Sequence, residues 1–241
     1  MVTRPFMRFI LIILYFSFKI TGSGQISDST WLVNQYLPKY YVDTGTYLPE
    51  MRFIDEKGQE RKLTDFKGKI VYINLWTSSC GSSVLQFSYQ EQLLKRLKTI
   101  HIDSLIQFVN INFEDSKKNW KNILRKQHPV GINLYCGDTT LLNKWNIKAP
   151  PAFILLDPSN KVLGKNISHP DEAVIIDYIL YSATKEIHPV EALWKMSRQS
   201  KLMEQSKTAA ALTDEDYKKW FGMTLQSFIE FQNWRTQQIK K

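Results

Sequence analysis

The chain is poor in cysteine, with Cys80 and Cys136 as its two thiols among 241 residues. So low a count argues against a disulfide-stapled scaffold, and a hydrophobic content of 43% is enough for one sizeable core. The sequence also lacks a phosphate-binding glycine loop and a serine-hydrolase elbow. Its four histidines are scattered without metal-ligand spacing, so we predict no metal site and no cofactor.

No dense basic motif of the kind that reads nucleic acid is present, although the formal net charge is +9. The densest basic group falls on the exposed side of a predicted helix and comprises Lys117, Lys118, Lys121, Arg125 and Lys126. Such a group is typical of a solvated helix face, with weak attraction to acidic surfaces as the alternative. We therefore predict no nucleic-acid partner.

The N-terminus lacks an apolar run of the roughly 18 residues that a spanning helix needs. Arg4 and Arg8 instead precede a shorter run, Phe9 to Phe18, which the small residues of Thr21 to Gly24 follow. This order of charge, apolar core and small residues predicts a secretory signal over residues 1–24. We expect a periplasmic or otherwise extracytoplasmic protein, and an uncleaved signal that anchors it to the membrane is the alternative.

Beyond a lead-in segment at residues 25–47, apolar patterns predict an alternation of strands and helices. A hairpin around Gly58 opens the series, and Ile70 to Trp76 is apolar enough for a strand buried on both faces. The later elements are a helix after Cys80, a strand at 106–113, a helix at 116–127, a strand at 132–136, a helix at 140–145, strands at 152–156 and 161–163, and a helix at 171–182. This alternation predicts an α/β fold with a central, mostly parallel sheet.

Residues 184–241 contain no strand signal and are predicted to form a helical C-terminal extension. Its apolar residues recur at helical spacing: Tyr217, Trp220, Phe221, Leu225, Phe228, Ile229 and Trp234. A stripe of this kind most often packs on its own domain, and docking to a partner is the alternative.

The segment from Trp76 to Ser83 joins the buried strand to an amphipathic helix and places Cys80 where that helix begins. A thiolate at a helix N-terminus is stabilised by unpaired backbone N–H groups and by the helix dipole. Its pKa can therefore fall from about 8.5 into the range of about 3.5 to 7.5. The position makes Cys80 the candidate nucleophile.

Four motifs in order resemble the TlpA-like, redoxin-related branch of the thioredoxin-like superfamily. They are DEKGQERKLTDFKGK, VYINLWTSSCGSS, IQFVNINFEDS and WNIKAPPAFILLDPSNKVLGKN, which together cover about Leu48 to Ile176. The resemblance implies a thioredoxin-like domain at residues 48–183: a central mixed β-sheet flanked by helices, with an N-terminal β-hairpin. It also implies thiol-disulfide exchange on protein thiols or disulfides of the cell envelope.

The same resemblance implies roles for individual residues. Cys80 would be the nucleophile, and Pro151 would follow a cis bond and shape the substrate groove. Trp76, Gly81 and Pro150 would contact the substrate. Gly81 would let the substrate approach the helix N-terminus closely.

The chain departs from the family's Trp-Cys-Gly-Pro-Cys site at three positions, where Ser79, Ser82 and Ser83 stand. Ser83 replaces the second, resolving cysteine, so a mixed disulfide at Cys80 has no built-in release. One hypothesis is monothiol exchange, in which the Ser83 hydroxyl supports the thiolate and an external thiol reductant releases the product. Another is that Cys136, at the end of a predicted strand, resolves the intermediate.

Two further hypotheses remain open. Thr77-x-x-Cys80 has the spacing of a one-cysteine peroxidase, although Ile73 stands where that pattern has proline. The three substitutions are also typical of a redox-inactive thioredoxin-fold binding module that keeps Cys80 as an incidental thiol.

Overall fold

The computed structural model describes residues 43–113 and 116–239. The predicted signal at 1–24 and all but the last five residues of the lead-in segment lie outside these ranges. Within them, no helix combines the length and the apolar character that crossing a bilayer requires.

An antiparallel hairpin opens the described chain, as the sequence predicts. Strand β1 spans Phe53–Asp55 and pairs with β2, Glu60–Arg61. Gly58 in the turn has a φ of +85°, which a residue with a side chain rarely adopts. The Asp55 carboxylate accepts hydrogen bonds from the backbone N–H groups of Lys57 and Gln59 and so holds the turn.

The other elements alternate as expected. They are β3 Ile70–Trp76, α1 Gly81–Thr99, β4 Ile106–Asn112, α2 Lys117–Gln127, β5 Ile132–Tyr135, α3 Leu141–Lys144, β6 Ala152–Leu156, β7 Val162–Lys165, α4 Ile175–Ala183, α5 Pro189–Ser206 and α6 Glu215–Ile239. The strands form one seven-stranded sheet in the order β2-β1-β5-β4-β3-β6-β7. Strands β3, β4 and β5 run parallel, so the mixed α/β sheet is confirmed. The other four pairings are antiparallel, so the prediction of a mostly parallel sheet is wrong: β1, β2, β6 and β7 join the sheet through hairpins and a reversed strand instead of helical crossovers.

Strand β3 is buried along its whole length because helices or loops cover both faces of the sheet. Ile70 and Tyr72 pack on one face against α1, α4, α5 and α6. Val71 and Ile73 face the other side, where α3 contributes Leu141. Packing on both faces of the sheet therefore holds β3 in place up to its carboxyl end, from which the Cys80 loop starts.

An in-register row of amides crosses the parallel part of the sheet. Asn74, Asn110 and Asn133 are directly paired on β3, β4 and β5 and are almost fully buried. Asn74 donates to Asn110 over 3.2 Å, and Asn110 donates to Asn133 over 3.1 Å. These hydrogen bonds offset part of the cost of burying the amides and favour this strand register, although Asn74 Oδ1 accepts no hydrogen bond from another described residue.

Helix α4 starts four residues later than the predicted Asp171. Val174 has a φ of +78°, so the helical conformation cannot extend back through it. Asp177 accepts a hydrogen bond from the Val174 backbone N–H over 3.2 Å and thereby caps the helix at this point.

The C-terminal helices pack on the sheet domain, as expected for the apolar stripe. Tyr217, Trp220 and Phe228 are fully or nearly fully buried in the same cluster as α4. Helix α6 also lies along α1: Ser227 contacts Thr99, and Trp234 contacts Tyr89 edge-on at 5.5 Å between ring centroids. These contacts show that α6 runs antiparallel to α1, the helix that Cys80 precedes.

A buried ion pair joins α1 to α4. Arg96 donates from Nε and Nη2 to the two carboxylate oxygens of Asp177, over 2.7 and 3.1 Å. Their side chains are 3% and 1% exposed, and the guanidinium also lies over the Phe231 ring of α6. One arginine therefore ties three helices together.

Candidate active site

Cys80 is the residue immediately before helix α1, in an extended conformation with φ −104° and ψ 101°. The chain leaves β3 at Trp76, turns through three residues and enters a 19-residue helix, so the sulfur lies at the positive end of a long helix dipole. The side chain is partly exposed, as a nucleophile must be. The prediction that Cys80 lies at the N-terminus of a helix is confirmed.

Serine hydroxyls lower the pKa of Cys80. Ser82 has the largest effect, because its Oγ lies 3.0 Å from the sulfur and donates to the thiolate. The Ser83 hydroxyl acts in the same direction, and the backbone N–H groups of both serines add to it. Partial burial opposes these effects, but the net direction is toward the thiolate.

The two serines differ in how they reach the sulfur. Ser83 is fully buried and its Oγ makes no formed hydrogen bond, whereas Ser82 is exposed and forms one. We therefore take Ser82 as the principal donor and Ser83 as a hydroxyl that must rotate to contribute. The sequence analysis names Ser83 as the supporting hydroxyl and misses Ser82. The signal for Ser82 was a hydroxyl two residues after the thiol, at the position where the similar family has a proline.

Replacing Ser82 by alanine is expected to raise the pKa of Cys80, because the thiolate loses its one formed hydroxyl hydrogen bond. Alkylation of Cys80 by iodoacetamide near pH 7 should slow several-fold. Ser83→Ala, made in parallel, should have the smaller effect. Equal rates for Ser82→Ala and the unchanged protein across pH would contradict the assignment.

The peptide bond between Pro150 and Pro151 is cis, as the resemblance implied. It lies directly before β6, which pairs antiparallel with β3. The Cys80 thiol points at the Pro150 carbonyl oxygen over 3.9 Å, a distance typical of a weak contact to sulfur. Cys80, Pro150 and Pro151 are thus brought together at one edge of the sheet.

Gly81 occupies the first helical position and is exposed. Its φ lies outside the left-handed region, and a Cβ added there would meet nothing within 4 Å. The fold itself therefore does not require glycine at this position, although alanine is the better helix former. The expected role of Gly81, to let a substrate approach the helix N-terminus closely, stays a prediction.

Gly81→Ala is accordingly expected to leave stability unchanged or raise it by up to about 1 kcal/mol. Alkylation of Cys80 by a small reagent should keep its rate, while exchange with a folded protein disulfide slows several-fold. The ratio of the two rates, measured on one preparation, checks this. A parallel loss of both rates would show that the methyl group disturbs the thiol itself.

Trp76 and Thr77, like Ser83, are buried instead of lining the surface. Trp76 is fully buried and packs edge-on against Phe87 at 5.0 Å between ring centroids, so its ring offers no surface to a substrate here. Thr77 is also fully buried, and its hydroxyl hydrogen-bonds with that of Ser79 at 2.8 Å. The two residues therefore anchor the start of the Cys80 loop in the core.

The structure does not bring Cys136 to Cys80, and both thiols are free. Cys136 directly follows β5, which lies two strands from β3, or roughly 9.6 Å across the sheet. It packs with the cluster that contains α3, on the face opposite α1. Burial raises the pKa of Cys136, opposite to the direction at Cys80. A disulfide between them needs Cα atoms within about 7 Å, so it would require the backbone to move.

No protein-family model matches the chain. It is 25% identical over 144 residues to the thiol-disulfide oxidoreductase ResA of Bacillus subtilis (strain 168), an alignment that covers 58% of this chain and 76% of the relative. The ResA protein of Geobacillus thermodenitrificans (strain NG80-2) is 24% identical over 136 residues, with 55% and 74% covered. A Bacteroides vulgatus crystal structure, assigned as a thiol-disulfide oxidoreductase, superposes with a TM-score of 0.51 at 25% identity and covers 58% of this chain and 96% of that one.

The fold is therefore thioredoxin-like, and the similar proteins are thiol-disulfide oxidoreductases. Their similarity spans somewhat more than half of this chain.

Proposed function

We propose that this protein is an exported thiol-disulfide oxidoreductase that works through one nucleophilic cysteine, Cys80. The observation that carries the proposal is the setting of this thiol. It combines the N-terminus of a long helix, a Ser82 hydroxyl at 3.0 Å, a pKa lowered by that hydroxyl, and partial exposure beside a cis-proline loop. These features favour an accessible thiolate, and the similar proteins carry out chemistry that needs one.

The proposed reaction is an exchange between two sulfurs. The Cys80 thiolate attacks one sulfur of a protein disulfide, forming a bond from Cys80 Sγ to that sulfur and releasing the other as a thiolate, which takes a proton from solvent. An external thiol, as its thiolate, then attacks the Cys80 mixed disulfide and displaces Cys80. One disulfide is consumed and one is formed in each step, so no further oxidant is needed.

Release by an external thiol is the part of the proposal that separates this chain from a dithiol enzyme. Ser83 occupies the position one helical turn after Cys80, and a hydroxyl cannot displace a thiolate to form a disulfide. Cys136 lies across the sheet and is disfavoured as a thiolate by its raised pKa. The mixed disulfide at Cys80 should therefore persist until a thiol arrives from outside.

We propose that this exchange takes place outside the cytoplasm. The order of Arg4, Arg8 and the apolar run Phe9 to Phe18 supports a signal over residues 1–24, cleaved or retained as a membrane anchor. We further propose residues 25–47 as a lead-in, 48–183 as the thioredoxin-like domain and 184–241 as its helical extension. Protein thiols or disulfides of the cell envelope are the proposed partners.

Trapping of the intermediate tests the proposal. On mixing with a protein disulfide and no other thiol, the protein should accumulate one mixed disulfide per chain, located at Cys80 by peptide mass spectrometry. Added glutathione or another small thiol should release it. A redox-inactive binding module would form no mixed disulfide above the level of an unstructured cysteine peptide, and that result would refute the proposal.

A further inference from the structure

Helix α2 carries a basic face, which we define as Lys117, Lys118, Lys121, Arg125 and Lys126. All five residues are exposed, and the helix contains neither aspartate nor glutamate. None of the five forms an ion pair with another described residue, although lysines elsewhere pair with nearby acids, as Lys144 does with Asp138. Among the described residues, the five cations therefore have no ion-pair partner; Glu114 and Asp115, which precede α2 in the sequence, lie outside that part of the chain.

The fold does not benefit from the first half of this patch. Lys117 and Lys118 stand in the first turn of α2, where the helix dipole favours negative charge. Lys121 follows Lys117 by four residues, so two like charges are neighbours on the helix surface. Arg125 and Lys126, by contrast, stand in the last turn, where the dipole favours them. The helix dipole therefore does not explain the three lysines of the first turns, which follow Glu114 and Asp115 in the sequence.

These lysines lie at the same edge of the sheet as Cys80. Strands β3 and β4 are parallel, and Trp76 at the end of β3 is in register with Asn112 at the end of β4. Helix α2 begins five residues after Asn112, and its Trp120 is in one buried cluster with Trp76 and Phe87 of α1. The start of α2 therefore packs against Trp76 and Phe87, the residues that flank the Cys80 loop in the core.

The cis-proline loop adds a further cation to this edge. Lys148 is exposed two residues before Pro150, whose carbonyl contacts the Cys80 thiol. Among the described residues at this edge, Asp138 is the acid of the β5 loop, and it is already paired with Lys144. Lysines thus stand both at the start of α2 and on the cis-proline loop, while Asp171 accepts a hydrogen bond from Gln86 in the second turn of α1.

We propose that the basic face docks an acidic segment of the protein substrate and so presents its disulfide to Cys80. The inference rests on the proposed function and specifies the chemistry of its partner: a protein with a run of aspartate and glutamate close to the reactive sulfur. Charges of opposite sign raise the rate of encounter, and salt screens this effect beyond a Debye length of about 10 Å at 0.1 M.

The test uses two peptide disulfides that are identical around the cysteine and differ in one flank, which is Asp/Glu-rich in one and Ser/Gln-rich in the other. The rate constant for mixed-disulfide formation at Cys80 is measured at low ionic strength and at 0.5 M salt. We expect the acidic peptide to react about tenfold or more faster at low salt. The advantage should disappear at 0.5 M salt.

The variant Lys117→Glu/Lys118→Glu/Lys121→Glu should also abolish the advantage. Acids in the first turn favour the helix, so this variant is not expected to unfold. The matched control is Lys67→Glu/Lys69→Glu/Lys98→Glu, which changes the net charge equally. Its three lysines are exposed before the start of β3 and in the last turn of α1, at the edge opposite Cys80. This control should keep most of the preference for the acidic peptide.

Equal losses in the two triple variants would mean that overall charge, and not the basic face, sets the rate, and would overturn the proposal. A wild-type protein that reacts with both peptides at one rate would also overturn it. If the α2 variant instead lost binding to anionic phospholipid vesicles while peptide rates stayed equal, the face would be a membrane contact and the proposal wrong. Failure of the proposed function itself would be distinct, because neither peptide would then form a mixed disulfide.

Discussion

Cys80→Ser is expected to abolish thiol-disulfide exchange completely while leaving the fold intact. The reacting group is the thiolate, and a serine hydroxyl at the same helix N-terminus stays protonated and cannot form a disulfide. Cys80 is partly exposed and precedes the helix, so the smaller oxygen creates no buried cavity. Reduction of a protein disulfide by an excess of external thiol should fall to the rate without protein.

Cys136→Ala is the matched control for this loss. Cys136 packs on the opposite face of the sheet, so exchange through Cys80 should continue at close to the original rate. The single-thiol account fails if Cys136→Ala loses activity as fully as Cys80→Ser. A mass shift showing that the two cysteines bond during turnover would make Cys136 the resolving thiol.

Arg96→Met is expected to lower the free energy of unfolding by about 3 to 5 kcal/mol. The substitution keeps most of the side-chain volume but leaves the Asp177 carboxylate buried without its bidentate partner. It also removes the guanidinium from the Phe231 ring of α6. Chemical denaturation followed by circular dichroism measures the loss.

Lys95→Met is the control, because Lys95 is the neighbouring residue and its ion pair with Glu91 is exposed. It should change stability by no more than about 1 kcal/mol. The double variant Arg96→Met/Asp177→Asn should recover part of the loss, since the amide carries no charge and still accepts the Val174 N–H. A cost for Arg96→Met no larger than that for Lys95→Met would show that the buried pair does not hold α1 to α4.

Much of the fold can be predicted from patterns of apolar residues along short stretches of the sequence. The apolar run of β3 predicts a strand buried on both faces, and the structure gives Ile70–Trp76 as predicted. Helix α1 follows from apolar spacing, and the cis bond at Pro151 follows from the family resemblance. The strand and the helix are predicted correctly because the spacing of apolar residues along the sequence determines strand burial and helix amphipathicity.

What the sequence does not predict depends on contacts between distant residues. The start of α4 is set by the positive φ of Val174, a conformation that β-branched residues rarely adopt. In the sequence, the spacing of Thr213 and Asp216 is typical of a capping box at the start of α6. In the structure, Asp214 accepts the Tyr217 N–H instead, and the Thr213 hydroxyl accepts a hydrogen bond from Gln199 of α5. Tertiary packing selects between such neighbouring candidates.

At the site, the same limit applies to the direction of side chains. The spacing of Ser83 from Cys80 indicates one helical turn, but the helix rotates that residue into the core, and the exposed Ser82 meets the sulfur instead. The Trp76 ring likewise points into the core, against Phe87, and not toward the surface. Position in the motif was predictable, whereas orientation required the packed helix.

The pH dependence of Cys80 alkylation tests the central claim most directly. The rate of carbamidomethylation of the Cys80 peptide, followed by mass spectrometry at a series of pH values, reports the fraction of thiolate. The account predicts a midpoint clearly below that of an unperturbed cysteine, about 8.5, because Ser82 and the helix N-terminus favour the thiolate. A midpoint at or above that of a cysteine peptide of the same sequence would contradict it and leave Cys80 an incidental thiol on a binding scaffold.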